Sequence, residues 1–260
     1  MAAAGCVLFV LLQGARMTAR YLSPAINDQD ALSLTVAPLA GVEANIYNDI
    51  WNAVICQSLH PGVKLEEIAL SEIYGVSRTV IRKVLVIMEQ EGVVSLPLNR
   101  GAYVALPSPR DALELCEVVS AMCAYIVGKL ADQPGNITSE QREKLALHVR
   151  AEKEAGELHT IRRLHMEHGT LLALIYGNLV LAAQLERATS RLALALSAYQ
   201  GVTGNISTVE YTTGLNQLIF DGKKAEALQT VTAAVDRARK SMRFGAADGS
   251  INLKAILGKG

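Results

Sequence analysis

The chain has 260 residues, half of them apolar and 5% aromatic, with Lys+Arg and Asp+Glu both at 25 and so no net charge. That length accommodates two domains and a sizeable core, and the balanced charge excludes a protein held on nucleic acid or membrane by its overall field, so any basic surface has to be local. Cys6, Cys56, Cys116 and Cys123 show neither CxxC spacing nor the density of a secreted disulfide framework, and they read as reduced core residues of a cytoplasmic protein.

The first sixteen residues, MAAAGCVLFVLLQGAR, hold an apolar run too short to span a membrane as a helix. No basic residue precedes the run and Met17 follows directly, which favours an upstream extension over an export signal. Residues 17 to 40 carry Pro24, Pro38 and several Asn and Asp, a composition that suits a loosely ordered arm, so residues 1–40 are expected as a poorly ordered extension. Order should begin near Val42. Ile46, Ile50, Val54 and Ile55 recur at helical spacing, and His60-Pro61-Gly62 stops that first helix with turn chemistry. A second helix is predicted over 66–74, ending at Gly75. Ser77 is placed to cap a third that runs to about Glu91 before Gly92.

After Gly92 the pattern changes to VVSLPLNRGAYVAL, two β-prone runs around Leu98-Asn99-Arg100-Gly101, which is a hairpin signal. Two helices at a tight corner followed by a hairpin make a winged helix, expected over residues 41–106. On the third helix Arg78, Thr79, Arg82 and Lys83 share one face, because one turn separates the pairs, while Val80, Ile81, Val84 and Leu85 supply the apolar background. Such a face fits the DNA major groove: Arg78 and Arg82 are the candidates to read guanine, and Thr79 and Lys83 to touch backbone. Arg100 at the hairpin tip suits the minor groove or a phosphate. The plainer reading is a solvated helix face that happens to be charged. Glu66, Glu67, Glu72, Glu89 and Glu91 have to point away from DNA for the first reading to hold.

These residues resemble a known family. Pro61-Gly62, Leu65, Glu67, Leu70, then GVSRTVIRKVLVIMEQEG and NRGAYV are similar, over about seventy residues, to the DNA-binding domain of the GntR family of bacterial transcriptional regulators. The resemblance implies a recognition helix carrying Ser77, Arg78, Thr79, Arg82 and Lys83, and a wing at Asn99, Arg100 and Gly101. Ile68 departs from the pattern, since relatives often place a polar residue there.

Residues 110–243 read as a separate all-α unit. Helices are predicted over 111–130, 138–157, 160–176, 179–200, 207–221 and 224–243, with breaks at 132–136, Gly177-Asn178, Gly201 to Asn205 and Asp221-Gly222. The expected fold is therefore mainly α, a winged helix-turn-helix with a small β-hairpin followed by a six-helix bundle, a natural place for a ligand cavity. Residues 244–260 are expected as a disordered tail. The bundle resembles the FCD effector domain of FadR-like and VanR-like members of the same family, which typically hold a divalent metal with one Asp and three His, near an Arg that takes a ligand carboxylate. Carried over, the four metal positions fall on His165, Gly169, Thr212 and Ala234, and the Arg and Glu of the first bundle helix become Val119 and Cys123.

With the anchors altered, no metal site of the family type, and no cofactor, is expected. His159, His165 and His168 are too few for a relocated one. Val119, Met122, Cys123, His165, Gly169, Leu172 and Thr212 are the candidate effector pocket, with Leu171 and Leu215 as further wall. Either the pocket is re-lined for a neutral or hydrophobic effector or it has collapsed into plain core, and apolar side chains at helical spacing favour collapse. Cys116 and Cys123, two turns apart, read as buried small hydrophobes rather than a redox pair.

No Gly-rich phosphate loop, GxSxG or HExxH occurs, so nothing favours an enzyme. The resemblance implies a DNA-binding regulator acting as a homodimer, and because one winged helix buries too little surface to be selective, the expected target is a palindromic double-stranded operator, bound as a repressor, with no membrane partner. The rival is a helical interaction and dimerisation module whose winged helix no longer binds DNA.

Overall fold

The computed structural model describes residues 21–27, 39, 41–55, 58–200 and 208–244. The expectations for residues 1–16, for the break at 201–205, for Cys6 and Cys56 and for the tail beyond 244 lie outside the described residues.

The first helix, α1 (Val42–Ile55), buries Ile46, Ile50, Trp51 and Val54, four residues apart or nearly so, on one face. A two-residue strand, β1 (Lys64–Leu65), then leads into α2 (Glu67–Tyr74), which stops at Gly75 in a left-handed conformation, φ +62°. Only two residues separate that stop from α3 (Arg78–Gln90), whose first turn is capped by Ser77 accepting from the Val80 amide. The tight corner makes the two helices a helix-turn-helix. Ile81, Val84, Leu85 and Met88 of α3 are fully buried, and at about 1.5–3 kcal/mol each they fix the helix's rotation far more firmly than any surface contact. Its opposite face is thereby fixed outward.

The hairpin forms as expected, with β2 (Val94–Ser95) and β3 (Ala102–Val104), but the sheet has a third strand. β1 pairs with β3 in the order β1-β3-β2, all antiparallel, with Leu65 opposite Ala102 and Val94 opposite Val104. Two residues carry no alternation to read, so β1 exists through its long-range partner alone.

Six helices follow: α4 (Pro109–Asp132), α5 (Ser139–Glu154), α6 (Leu158–Tyr176), α7 (Leu179–Tyr199), α8 (Thr208–Phe220) and α9 (Lys224–Ser241). Capping boxes start two of them, Ser108 with Asp111 and Thr138 with Gln141. Gly177, at φ +85°, closes α6. The bundle core runs through Val119, Ile126, Leu145, Leu171, Leu185, Leu215, Ile219 and Val231.

Two features join the halves. Leu194 of α7 is fully buried within the winged helix's own core, with Met166 and Ala193 beside it. Residues 21–27, expected as part of a loose arm, are instead packed: Tyr21, Ala25 and Ile26 are buried in the bundle core. The expectation is corrected there because the contacts that order this segment come from residues more than a hundred positions away, beyond the reach of local composition. No helix among the described residues is long and apolar enough to cross a membrane.

Candidate nucleic-acid interface and bundle cavity

α3 places Arg78, Thr79, Arg82 and Lys83 along one open groove, with Val86, Ile87 and Gln90 further down the helix and Glu67 of α2 at its edge. The Arg78, Arg82 and Lys83 side chains are 63%, 67% and 53% exposed. The predicted face is therefore real and outward. None of its cations is idle. The Glu67 carboxylate accepts from Arg78 Nη2 at 3.3 Å with one oxygen and from Arg82 Nη1 at 3.0 Å with the other. Lys83 Nζ donates to Glu43 of α1 at 2.7 and 2.8 Å.

Glu67 thus does not point away from the face, as the DNA reading required, but stands on it. The other four acidic residues do leave it. Glu89 accepts from the Leu96 amide, Glu91 from the Tyr47 hydroxyl, and Glu66 pairs with Lys64; Glu72, like these, does not line the groove. Exposed ion pairs contribute about 0–1 kcal/mol each, while a bidentate Arg–guanine contact contributes about 1–3 kcal/mol. The Glu67 clamp holds the two guanidiniums side by side.

The wing tip is a sharp reversal in which the Arg100 amide donates to the Pro97 carbonyl at 3.1 Å. Asn99 and Gly101 both adopt positive φ, +59° and +83°, the conformations Asn and Gly tolerate best. Arg100 is held exposed between them. Ile68, where relatives place a polar group, is 59% exposed at the start of α2.

In the bundle, the interior has not collapsed. A cavity of about 170 Å³ lies between α4, α6, α7, α8 and α9, lined by Val119, Cys123, Leu172, Leu192, Leu215, Val231 and Ala234, with His165, His168, Gly169 and Tyr211. Five of the seven predicted pocket residues line it: Val119, Cys123, His165, Gly169 and Leu172. Met122 packs on the core from outside and Thr212 is fully buried, its hydroxyl bonded to the Thr208 carbonyl. Leu171 belongs to the core rather than to the wall.

The wall is chemically quiet. Burial pushes the Cys123 thiol up to about 12 and the Tyr211 phenol above its ordinary range. His168 Nε2 donates to Asn216 Oδ1 at 2.9 Å, and burial lowers the His168 pKa to about 3. Among the described residues, no Lys or Arg lines the cavity. Behind it, His148, lowered by burial to about 4, lies with its ring 5.4 Å from that of His168. Glu152 is fully buried, and His165 Nδ1 lies 3.7 Å from its Oε1. The buried polar atoms there without a hydrogen-bond partner are His148 Nε2, both Glu152 oxygens and His165 Nδ1. They do not converge: among the described residues no group of three or more His, Cys, Asp or Glu side chains is arranged to hold a metal ion. Of the four positions the resemblance assigns to metal ligands, His165 alone carries a ligating side chain.

A helix-turn-helix followed by a β-wing is the winged-helix fold. Residues 42–104 match the family model of bacterial regulatory proteins, gntR family. A second model, Titin Z, matches residues 218–246, essentially the last helix, and one amphipathic helix identifies no function. An uncharacterized HTH-type transcriptional regulator from the TAR-I ttuE-ttuC' intergenic region of Agrobacterium vitis is 28% identical over 92 residues, 35% of this chain and 54% of the relative. An uncharacterized HTH-type transcriptional regulator from an unstable DNA locus of Streptomyces ambofaciens is 30% identical over 115 residues, 40% of this chain and 48% of the relative. The chain spans about half the length of these curated relatives. Among solved structures, a Rhodococcus sp. RHA1 protein described as a GntR transcriptional regulator superposes with a TM-score of 0.63 at 15% identity, covering 76% of this chain and 95% of its own. E. coli McbR/YncC does so at 0.61 and 16%, covering 76% and 95%. These two likenesses reach through both halves and speak to the fold.

The sequence did not reveal Glu43 and Glu67 as partners of the cationic face. Glu67 had one signal, its position in the GntR-like motif. Glu43 had none.

Proposed function

We propose that this chain is a transcriptional regulator of the cytoplasm that binds a palindromic DNA operator as a homodimer and represses from it. The observation that carries the reading is the outward Arg78–Thr79–Arg82–Lys83 face, locked from behind by a fully buried Ile81–Val84–Leu85–Met88 stripe. One winged helix buries too little surface to be selective in a genome, so two of them on a symmetric site is the arrangement that supplies specificity. The cavity takes the effector, without a metal. A carboxylate buried there would meet no Lys or Arg among the described lining residues, whereas a neutral apolar ligand of about one ring fits a space close to the ~150 Å³ that holds benzene in an engineered apolar cavity.

The rival reading, a bundle for protein interaction with an inert wing, draws on one observation: every cation of the face is already paired. Titration of the protein against its own upstream intergenic DNA, at two salt concentrations, separates the two. A regulator binds one fragment well above random DNA, with affinity falling steeply as salt rises, and Arg82→Ala weakens that fragment's binding about 10- to 100-fold. Equal weak binding to all fragments, unchanged by Arg82→Ala, favours the rival.

A further inference from the structure

Residues 21–27 are held by chemistry that a passing contact does not use. The Glu167 carboxylate of α6, itself buried, accepts from the Leu22 amide at 3.0 Å and from the Ser23 amide at 2.7 Å. The Ser23 hydroxyl meets His148 Nδ1 of α5 at 2.7 Å, and the Tyr21 hydroxyl donates to Glu186 of α7 at 2.6 Å. Three side chains from three helices, through four hydrogen bonds, therefore grip three consecutive residues of a turn-forming segment, with Ala25 and Ile26 buried beyond them.

The same carboxylate is shared with the DNA-binding half. Arg163, one turn before Glu167 and equally buried, donates Nε to Glu167 Oε1 at 3.2 Å. Its other nitrogens reach α1, with Nη1 donating to Asn52 Oδ1 at 2.6 Å and Nη2 to Asn48 Oδ1 at 3.2 Å. A guanidinium buried to this degree needs its carboxylate, and the carboxylate needs its donors. Burial raises the Glu167 pKa, while Arg163 and the two amides oppose that rise. Taking the segment away strips two donors from Glu167 and loosens the pair that orients α1.

We propose that residues 21–27 are an intramolecular latch: docked on α5, α6 and α7, they complete the Glu167–Arg163 pair and so fix α1 of the winged helix against the bundle, and undocked they let the winged helix turn. The latch is in reach of the cavity. His148, which holds Ser23, packs its ring against His168, which lines the cavity, and α6 carries His165, His168 and Gly169 of the wall as well as Arg163 and Glu167. A ligand that displaces His168 therefore pushes on the latch's own anchor. The consequence for operator affinity rests on the reading under Proposed function; the latch itself does not.

Amide hydrogen exchange on the full-length protein, free of DNA, tests it, first on the wild type and then on Ser23→Pro, which removes one donating amide and the hydroxyl while leaving every helix residue of the bundle in place. The latch predicts that the Leu22 and Ser23 amides exchange at least 100-fold more slowly than in a free peptide. It also predicts that Ser23→Pro speeds exchange across Val42–Ile55 at least 10-fold while α4 and α9 stay unchanged. Free-peptide exchange at Leu22 and Ser23 in the wild type overturns it, and so does a Ser23→Pro effect confined to residues 21–27. If Ser23→Pro unfolds the chain, the wild-type rates and Tyr21→Phe, with the same expected pattern in weaker form, decide. Failure of operator binding alone leaves these rates untouched, so the two readings fall separately.

Discussion

Glu67 decides where the arginines stand before DNA arrives. Its carboxylate is only 12% exposed, yet it bonds two guanidiniums that are mostly exposed, so it is the fixed member and they are the mobile ones. In the proposed regulator this makes it a brake on promiscuous binding, because a phosphate would have to displace a carboxylate already in place. Glu67→Gln keeps the shape and removes the charge. The expected result, by fluorescence anisotropy at fixed salt, is binding to random DNA tightened about 3- to 10-fold, with the ratio of operator to random affinity reduced. Unchanged random binding would mean that Glu67 is a bystander. The recognition face was legible in the sequence because the pairs 78–79 and 82–83 stand one helical turn apart, and that periodicity is local. Its partners were not, since Glu43 lies 40 positions from Lys83 and Glu67 lies 15 from Arg82.

The helices themselves were nearly all legible from apolar periodicity and the breaks between runs. Gly75 and Gly177, read as stops, end α2 and α6 with left-handed backbone, while Ser108 and Asn178, which cap α4 and α7, were not singled out. What local patterns cannot supply is an element that exists only through its neighbour, such as β1 on β3 or residues 21–27 on α6. The same limit hid the cavity. Apolar residues at helical spacing look identical whether they meet or leave a gap, and here α6 carries Gly169, so a side chain is missing where the wall needs one. A Cβ at Gly169 would stand 3.6 Å from Leu185 Cδ2 and 3.9 Å from Cys123 Sγ, ordinary contact distances, so the helix tolerates a larger residue that grows into the space. Benzyl alcohol at about 100 times its Kd is expected to raise the melting temperature by about 5–10 °C. Benzoate, with no cation to meet it, is expected to do nothing, and Gly169→Leu to remove the benzyl alcohol response. A benzoate shift equal to that of the alcohol would show that the cavity is not the site.

At the scale of the whole molecule, the two halves share more than a linker. Leu194 sits in the winged helix's core, Arg163 bonds α1, and the latch ties both to α5 and α7. A ligand in the bundle therefore has a physical route to the spacing of two recognition helices in the proposed dimer, through discrete contacts that are either made or broken. The account nonetheless stands on the cationic face meeting guanine edges in the major groove. Methylation interference on the upstream fragment reads that contact directly, because a methyl on guanine N7 occupies the position a guanidinium would take. The prediction is that methylating one or two guanines in each half-site, with the half-sites about one helical turn or a multiple apart, abolishes binding, and that Arg82→Ala removes the sensitivity at one of them. Binding indifferent to every guanine N7 would contradict it.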